Sequence, residues 1–600
     1  MDSTAADARA GKRARRAPPA AGDADRISGL DDDVLLRVLK LVGDARDAVR
    51  TGALSRRWLG LWTRAPALRF ASRLVSPAAG GEEHRAALER YVSFVNGVLA
   101  RRARSGCAVE CLAISISYTN TYAGRSPERP LLQAASVDAA QGWIRYAFEH
   151  GVKSFAVDLH DVPPKRDEHE EDSDEEEDGD RHRHRDDDGE KGSSGAEQPL
   201  VIIDELLLPS PARLETMRLA LGDAGLQFPT TMKFASLTDL SLERIKIARG
   251  GAHLLGRLVS PANCPRLQKL RMSKLRLPSS DEGMQLDADV LSELWVEDFN
   301  VRSLELRTPN LRVLHIDIRC HELLRVSAPM LEELAFFQLG RTPPRLEVDG
   351  DLVHVRSLKL YLIAHRSADP EIDSESDSEI DSESDSDSDS ESESESESDE
   401  AGNDTNILLL KHCSSLTCLD VILAGPKVNE DDVDMITSSV PQLDHVTSLT
   451  VHVFDVFERH DFGVGVASLL TRFKNLRHLS LHLPCFDSLL YDYDPPEGLD
   501  QCDHPDHWAS DEISMTHLQE VELTGLTGTG CELGFMKAVL TSAGGLRKVA
   551  ATFNPKCRQP ERKMDAFESM LLDQGMRTSH REQGVCGGIV NNCCCIPLDD

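Results

Sequence analysis

A short apolar pattern recurs along most of the chain. Its form is φ-x-x-φ-x-φ, where φ is an apolar residue, as in Leu267-Leu270-Met272 and Leu311-Leu314-Ile316. Copies begin at residues 109, 152, 214, 237, 267, 291, 311, 331, 355, 416, 446, 476 and 518, with a degenerate last copy at 546. Most copies begin 20 to 30 residues apart. Because alternation of apolar and other residues marks a strand with one buried face, the pattern predicts an array of short strands.

A repeat of this length resembles the leucine-rich repeat. In that architecture the φ-x-φ segment is a strand of a curved parallel sheet, and helices cover the convex side. We therefore expect an α/β fold with a leucine-rich-repeat solenoid over residues 85–555. Segments between the strands, such as residues 138–150 with Trp143 and Phe148, are expected to form the convex-side helices.

The residue between the last two apolar positions should point out of the concave face, because side chains alternate along a strand. In the middle copies this residue is mostly basic or aromatic. The candidate substrate face consists of Arg218, Arg271, Trp295, His315 and Lys359. For each of these residues, an ordinary solvated position is the alternative.

Three short helical segments are predicted before the array. Residues 27–42 carry apolar side chains at steps of three and four, which makes one apolar helical face. The aspartates at 31–33 offer an N-cap and favourable charge at the start of that helix. Two further segments follow, at about 44–54 and around Trp58 and Trp62. Their joint core would be very small, so this unit needs a partner or docks on the next domain.

Residues 26–70 resemble the F-box of plant F-box proteins. The resemblance is carried by Asp25-Arg26-Ile27-Ser28-x-Leu30, Leu35-Leu36, Asp47-Ala48-Val49-Arg50-Thr51, Leu54-Ser55-Arg56-Arg57-Trp58, Leu61-Trp62 and Pro66-x-Leu68. Asp31 stands where the family usually has Pro, a residue pre-organised for the first helical position. The resemblance implies a three-helix unit that binds a Skp-family adaptor.

The adaptor contacts predicted from this resemblance are all apolar or aromatic. They are Leu30, Leu35, Leu36, Leu39, Val49, Leu54, Trp58 and Trp62. Some of these side chains must instead hold the three helices together, and Trp58 is ambiguous in this respect.

Residues 518–553 resemble the FBD domain that follows the repeats in many plant F-box proteins. The sequence there predicts a strand, a turn, an amphipathic helix and a final strand, which is a suitable cap for the open end of a solenoid. Residues 1–25 and 556–600 are polar and are predicted to be disordered.

The F-box resemblance implies the substrate-recognition subunit of a Skp-cullin-F-box ubiquitin ligase. Through the adaptor, such a protein joins a cullin-RING ligase, and its repeats bind a protein substrate. The chain is then no enzyme and needs no cofactor, because other subunits transfer ubiquitin. The alternative is a non-catalytic leucine-rich-repeat scaffold with a vestigial F-box, which Asp31 supports.

Catalytic motifs are absent from the sequence. It has no G-x-x-x-x-G-K-[ST] phosphate loop, no H-E-x-x-H zinc helix and no G-x-S-x-G nucleophile elbow. Cys502, His504 and His507 have spacing that could hold a metal ion, with Cys485 as a fourth ligand. Chance proximity in a loop is the better interpretation, so no metal is expected.

The net charge of −34 is concentrated in two acidic tracts. Residues 371–400 contain 16 acidic residues, 12 Ser and no Lys or Arg, and residues 167–190 contain 15 acidic residues and three Arg. Each tract lies in one of the two longest steps between copies, which are 61 and 62 residues. We therefore interpret residues 165–198 and 368–404 as disordered insertions between repeats. The nearly neutral remainder argues against a basic nucleic-acid-binding surface.

The second tract contains candidate phosphorylation sites. Ser374, Ser376 and Ser382 each have an acidic residue three positions downstream, the pattern favoured by acidophilic casein-type kinases. Each phosphate would add about −1.5 to −2 of charge. An expanded, solvated low-complexity loop is the alternative.

The cellular location is constrained by what the sequence lacks. No run approaches about 18 consecutive apolar residues, and the first 20 residues have no apolar core, so neither a membrane span nor a secretory signal is expected. The 14 cysteines are then expected to be reduced thiols of a protein of the nucleus, the cytoplasm or both. The basic residues at 12–16 are a candidate nuclear import signal.

Overall fold

The structure is a computed structural model that describes residues 29–597 with several gaps. The gaps are 73–80, 120–128, 163–198, 204–207, 229–230, 249, 280–281, 339–343, 351, 367–402, 425–432, 455–461, 484–512, 527–529, 554–559, 574–579 and 583–591. Residues 1–28 and both acidic tracts therefore lie outside the described residues.

The described residues form α-helices and β-strands, with helices between strands in the N-terminal and C-terminal parts of the array. Among the described residues no helix lies between 260 and 403, so the expected convex-side helices are not found in the middle copies. The helices are α1 (Asp32–Leu41), α2 (Ala45–Arg50), α3 (Trp58–Leu61), α4 (Gly81–Ser105), α5 (Arg129–Glu149), α6 (Gly251–Val259), α7 (Asp404–His412), α8 (Met435–Ser439), α9 (Phe462–Leu470), α10 (Gly530–Ser542) and α11 (Pro560–Asp573). Short 3₁₀ turns at Thr51–Ala53 and Trp62–Arg64 follow α2 and α3.

The strands follow the copies of the apolar pattern, with shorter strands between some of them. They are β1 (Ala67–Ala71), β2 (Cys111–Thr119), β3 (Ser154–Val162), β4 (Leu200–Ile202), β5 (Thr216–Gln227), β6 (Asp239–Ile247), β7 (Lys269–Arg276), β8 (Gly283–Asp287), β9 (Glu293–Arg307), β10 (Val313–Ser327), β11 (Glu333–Gln338), β12 (Arg345–Val348), β13 (Ser357–Ile363), β14 (His365–Arg366), β15 (Cys418–Ala424), β16 (Val433–Asp434), β17 (Ser448–Val453), β18 (His478–His482), β19 (Glu520–Leu526), β20 (Lys548–Phe553), β21 (His580–Glu582) and β22 (Asn592–Pro597).

One large parallel sheet organises the chain. Its main strands lie side by side in chain order: β1, β2, β3, β5, β6, β7, β9, β10, β11, β13, β15, β17, β18, β19 and β20. The register aligns the second apolar position of each copy with that of the next, as in Leu270, Leu294 and Leu314. The expected α/β class is confirmed, and this arrangement is compatible with a leucine-rich-repeat solenoid.

Burial of the repeated apolar residues explains the register. Leu270, Leu294 and Leu314 are all fully buried. The hydrogen bonds at the start of each strand repeat as well. For example, the N–H groups of Arg312 and Val313 both donate to the carbonyl of Ser292, at 2.9 and 3.0 Å. A shift of one residue would turn these leucines outward, so the alternation fixes which side chains form the core.

The main strands before and after each acidic tract are adjacent in the sheet. Phe155 of β3 is paired with Met217 of β5, although residues 163–198 lie between these strands in the chain. Leu358 of β13 is likewise paired with Leu419 of β15. Each tract therefore lies in the chain between two strands that are neighbours in the sheet, and the insertion interpretation stays a prediction.

The three predicted N-terminal helices are present, but the predicted cap is different. Asp31 precedes α1 in an extended conformation, and its side chain makes no capping hydrogen bond. The carboxylate of Asp44 instead caps α2 by accepting from the N–H of Arg46 at 2.7 Å. Asp32, the first residue of α1, instead forms ion pairs with Arg57 and Arg64.

The C-terminal tail differs from the prediction of disorder over residues 556–600. Helix α11 buries Phe567 and Leu571, and β22 pairs with β20 in antiparallel fashion. The prediction was wrong for these segments because Met564, Phe567 and Leu571 lie at steps of three and four, which gives an apolar helical face within a polar stretch. The predicted strand, helix and strand of residues 518–553 correspond to β19, α10 and β20.

Candidate functional site

The N-terminal helices expose an apolar surface, which we call the exposed helix face. Its members are Leu30, Val34, Val38, Leu41 and Leu54. Val34, Val38 and Leu41 lie four and three residues apart on α1, so their side chains share one side of that helix. The exposed fraction rises from 41% at Val34 to 84% at Leu41. Exposed apolar side chains grouped on one side of a helix, as Val34, Val38 and Leu41 are, are typical of contact surfaces.

Two arginines tie the third helical segment to the start of α1. Arg57 Nη2 lies 2.8 Å from Asp32 Oδ1, and Arg64 Nη1 lies 3.0 Å from Asp32 Oδ2. The hydrogen bond from Arg57 is the main reason that the pKa of Asp32 lies below its ordinary value, and Arg64 contributes in the same direction. These contacts hold the third helical segment against the N-terminal end of α1.

A buried arginine anchors the helical unit to the sheet. Arg102 of α4 is fully buried, and its Nη2 donates to the carbonyl of Ala65 at 2.7 Å and to that of Ala108 at 3.0 Å. Burial lowers the pKa of this guanidinium. Because both acceptors are backbone carbonyls, Arg102 fixes the path of the chain where it enters β1.

The sheet presents rows of polar and aromatic side chains between its buried positions. We call the side of the sheet that carries these rows the open face. Arg271, Trp295 and His315 are in register on β7, β9 and β10. The guanidinium of Arg271 lies 5.3 Å from the Trp295 ring centroid, and the Trp295 and His315 rings stack with centroids 4.7 Å apart. The His315 ring is 5.4 Å from that of Phe337 on β11.

The contacts continue across the next strands. Lys359 Nζ lies 5.8 Å from the Phe337 ring centroid and 2.9 Å from Asp420 Oδ2. His452 Nε2 is 3.2 Å from Asp420 Oδ1, and the His452 ring stacks on that of His482 at 4.5 Å. An unbroken ladder of side-chain contacts therefore runs from β7 to β18, and we call it the open-face ladder.

Burial and neighbouring charges shift the pKa values of titratable groups in the ladder. Burial lowers the pKa of His315. Burial also lowers the pKa of His482, with a further contribution from His452. Burial alone would raise the pKa of Asp420, but His452 and Lys359 together bring it below its ordinary value. The lowered pKa values keep His315 and His482 uncharged at neutral pH, while Lys359 and Asp420 form an ion pair.

Comparison with known proteins identifies similar chains in plants. The chain is 54% identical over 44 residues to a putative FBD-associated F-box protein of Arabidopsis thaliana, covering 7% of this chain and 11% of that protein. It is 29% identical over 283 residues to the meiotic F-box protein MOF of Oryza sativa subsp. japonica, covering 44% of this chain and 49% of that protein. It is 26% identical over 140 residues to F-box/LRR-repeat protein 25 of Arabidopsis thaliana, covering 23% of this chain and 42% of that protein.

The resemblance to plant F-box proteins is confirmed. The names of these relatives include both the leucine-rich repeat and the FBD region. No protein-family model matches the chain. The chain spans between about a tenth and a half of the length of these curated relatives, from 11% to 49%.

The predicted F-box contacts fall into two groups in the structure. Leu35, Leu39, Trp58 and Trp62 are buried within the protein. They hold the helical unit together, and this corrects their assignment to the adaptor surface. Leu36 and Val49 are half-buried, whereas Leu30 and Leu54 are exposed. The contact role stays a prediction for these four.

Sequence reasoning did not single out Val34, Val38 and Leu41, which the structure shows to be exposed apolar residues. Val34 and Val38 belong to the same run of three- and four-residue steps that predicted α1. A helix with apolar side chains on more than one side needs more than one partner surface. The signal was therefore present, but the sequence alone does not show which side faces the sheet.

The structure brings most residues of the candidate substrate face together, and two of its three cations are paired with carboxylates; the substrate role stays a prediction. Four of its five residues belong to the open-face ladder, while Arg218 is separated from Arg271 by Ser241. Arg218 Nη2 pairs with Glu243 at 3.1 Å, and Lys359 pairs with Asp420. Neighbouring strands supply these carboxylates, so the cations are largely neutralised.

Several sequence predictions fall outside the described residues. These are the serines at 374, 376 and 382, the import signal at 12–16 and the Cys/His group with Cys485, Cys502, His504 and His507. In the part of the chain that the structure describes, no three His, Cys, Asp or Glu side chains are grouped to hold a metal ion. None of its helices is both long and apolar enough to cross a membrane.

Proposed function

We propose that the protein is the substrate-recognition subunit of a Skp-cullin-F-box ubiquitin ligase. In this proposal residues 26–70 are the F-box, the parallel sheet is a leucine-rich-repeat solenoid over 85–555, and residues 518–553 are an FBD-like region. The relatives named as F-box proteins support the assignment. The observation that carries it is the exposed helix face, an apolar surface on the unit that resembles the F-box.

The proposed mechanism is positioning. The helical unit binds a Skp-family adaptor and thereby joins a cullin-RING ligase, while the open face binds a target protein. Holding the target near the conjugating enzyme raises the effective concentration of its lysines. The chain is non-catalytic in this proposal and acts in the nucleus, the cytoplasm or both.

The departure at Asp31 bears on the alternative of a scaffold with a vestigial F-box. Asp31 has φ −68° and an extended conformation, which is close to the φ of about −65° that proline imposes. Its carbonyl accepts from the N–H groups of Val34 and Leu35, both at 3.1 Å, so α1 begins normally. The exchange of Pro for Asp therefore preserves the backbone that the F-box resemblance requires, which favours the receptor over the scaffold.

Affinity capture of the full-length chain from plant cell extract, scored for adaptor and cullin together, separates these two proposals. A ligase receptor retains both proteins. A scaffold with a vestigial F-box retains neither, and that result would contradict the proposed function.

A further inference from the structure

The middle of the open face carries six outward side chains on three adjacent strands. The register places Trp295, His315 and Ala335 in one row and Glu297, Asp317 and Phe337 in the next. Asp317 is therefore flanked by Glu297 on β9 and by Phe337 on β11. Asp298, beside Glu297, has a left-handed backbone with φ 46° and an exposed side chain. We call Glu297, Asp298 and Asp317 the carboxylate patch.

Among the described residues, no Lys or Arg forms an ion pair with the carboxylate patch, whereas several other carboxylates of the open face do pair with cations. Arg218, Lys269 and Lys359 are engaged by Glu243, Glu293 and Asp420, at 3.1, 2.7 and 2.9 Å. Asp317 is half-buried, and its Oδ1 is shielded from solvent without a hydrogen-bond partner in the structure. Glu297 Oε1 lies 4.0 Å from His315 Nε2, and burial lowers the pKa of that imidazole.

The electrostatics of the patch confirm an excess of negative charge. The pKa of Asp317 is raised first by burial and then by Asp298 and Glu297, while Arg319 acts weakly in the opposite direction. An unpaired carboxylate in a half-buried position is unfavourable unless something neutralises it. A cation from outside the chain would do so by docking at Oδ2, the oxygen of Asp317 that is not shielded.

Aromatic rings form apolar walls beside these carboxylates. Both faces of the Trp295 ring are covered, one by Arg271 and the other by His315. The stacked rings are 4.7 Å apart, close to the spacing of about 4.8 Å between neighbouring strands, so they stand upright on the sheet. The Phe337 ring lies between His315 and Lys359, 5.4 Å from the His315 ring and 5.8 Å from Lys359 Nζ. A long aliphatic side chain with a charged end fits such walls, because its stem is apolar and its head is not.

We propose that the open face binds a basic segment of a partner protein, with a lysine or arginine head on the carboxylate patch and its stem against His315 and Phe337. This inference rests on the proposed role of the sheet in holding a target protein, and it names the chemistry of that target. Among the described residues the three carboxylates do not form a metal-binding group. An organic cation therefore fits the patch better than a metal ion.

The test is peptide binding by the full-length chain, measured by fluorescence anisotropy. The probes are two labelled peptides of equal length, one alternating arginine and serine and the other alternating glutamate and serine. Asp317→Asn and Glu297→Gln should each weaken binding of the arginine peptide by about tenfold, because each removes a charge-assisted contact. The glutamate peptide should bind more weakly than the arginine peptide to the wild-type chain.

Glu522→Gln is the matched control for nonspecific attraction by the acidic chain. Glu522 is an exposed residue of the same face, six strand steps from Asp317. Glu522→Gln changes the net charge by the same amount as Asp317→Asn and should alter binding of the arginine peptide by less than about twofold. Equal effects of Asp317→Asn and Glu522→Gln, or tighter binding of the glutamate peptide, would overturn the inference.

Adaptor binding is measured separately on the same variants. If the arginine peptide responds to the patch as stated but the chain binds no adaptor, the ligase proposal fails and the basic-segment site stands. If adaptor binds and the peptide does not respond to the patch, the inference fails alone.

Discussion

The indole of Trp295 stacks on the imidazole of His315, with ring centroids 4.7 Å apart and planes 14° apart. These residues are register neighbours on β9 and β10. The stack buries His315, whose side chain is only 19% exposed. His315, in the middle of the open face, is thereby held in one orientation by its neighbours on either side, Trp295 and Phe337.

The stack predicts a pH dependence of stability. Burial lowers the pKa of His315, so the unfolded chain takes up a proton more readily than the folded chain. The stability that comes from keeping His315 uncharged is complete when the pH is above the ordinary histidine pKa. It is lost as the pH falls from that value toward the lowered pKa of His315. Glu297 opposes the shift and Lys359 reinforces it.

His315→Phe keeps an aromatic ring in the stack and removes the titration. The variant should lose less stability than wild type between about pH 7 and about pH 5, measured by urea unfolding. His354→Phe, at an exposed position before β13, is the control and should lose as much as wild type. Equal losses in His315→Phe and wild type would contradict the explanation.

Asp317→Asn should stabilise the folded protein while it weakens peptide binding. The pKa of Asp317 is raised, mainly by burial, so keeping this group ionised costs stability at neutral pH. The midpoint of thermal unfolding should therefore rise in the variant. The increase in stability of the variant over wild type is full when the pH is above the raised pKa of Asp317. It declines as the pH falls toward the ordinary pKa of a carboxyl group. A lowered midpoint at neutral pH would show that the carboxylate supports the fold instead.

Much of the sheet could be predicted from the sequence, because the two-residue alternation fixes which side of a strand is buried. The paired positions of Leu270, Leu294 and Leu314 follow from their place in the apolar pattern. Asp317 and Phe337 were missed because each lies two residues beyond the position chosen from each copy. Aligning the copies and reading the next outward residue would have found them.

Other features depend on information that a single copy of the pattern does not contain. Arg218 is neutralised by Glu243, which is 25 residues later in the chain, and only the strand register brings them together. The division of α1 into a buried side with Leu35 and an exposed side with Val38 depends on how the helix docks. A sequence with apolar residues on both sides does not determine that choice.

Deletion of residues 371–400 should leave the stability of the protein unchanged. Leu358 and Leu419, on the strands before and after this tract, are already neighbours in the sheet. Shortening a long connection changes its closure entropy only slowly with length. The urea midpoint of the deletion variant should equal that of wild type, and loss of folding would show that the insertion interpretation is wrong.

Asp31→Pro should be tolerated and should strengthen adaptor binding. The backbone at Asp31 already has φ −68°, so proline fits without strain and restricts the unfolded chain. We expect a gain of about 0.4–1 kcal/mol in the free energy of unfolding. Arg37→Pro, in the interior of α1, should instead break the helix. Destabilisation by Asp31→Pro would mean that the aspartate has a structural role of its own.

The central claim is that the exposed helix face binds a Skp-family adaptor, and co-elution on size-exclusion chromatography measures this directly. Val38 and Leu131 are both exposed apolar residues, on α1 and α5, so Val38→Asp and Leu131→Asp are matched changes. Circular dichroism should show that both variants fold like wild type. The account predicts that adaptor co-elutes with wild type and with Leu131→Asp but not with Val38→Asp. Failure of the wild-type chain to bind adaptor, or undiminished binding by Val38→Asp, would contradict it.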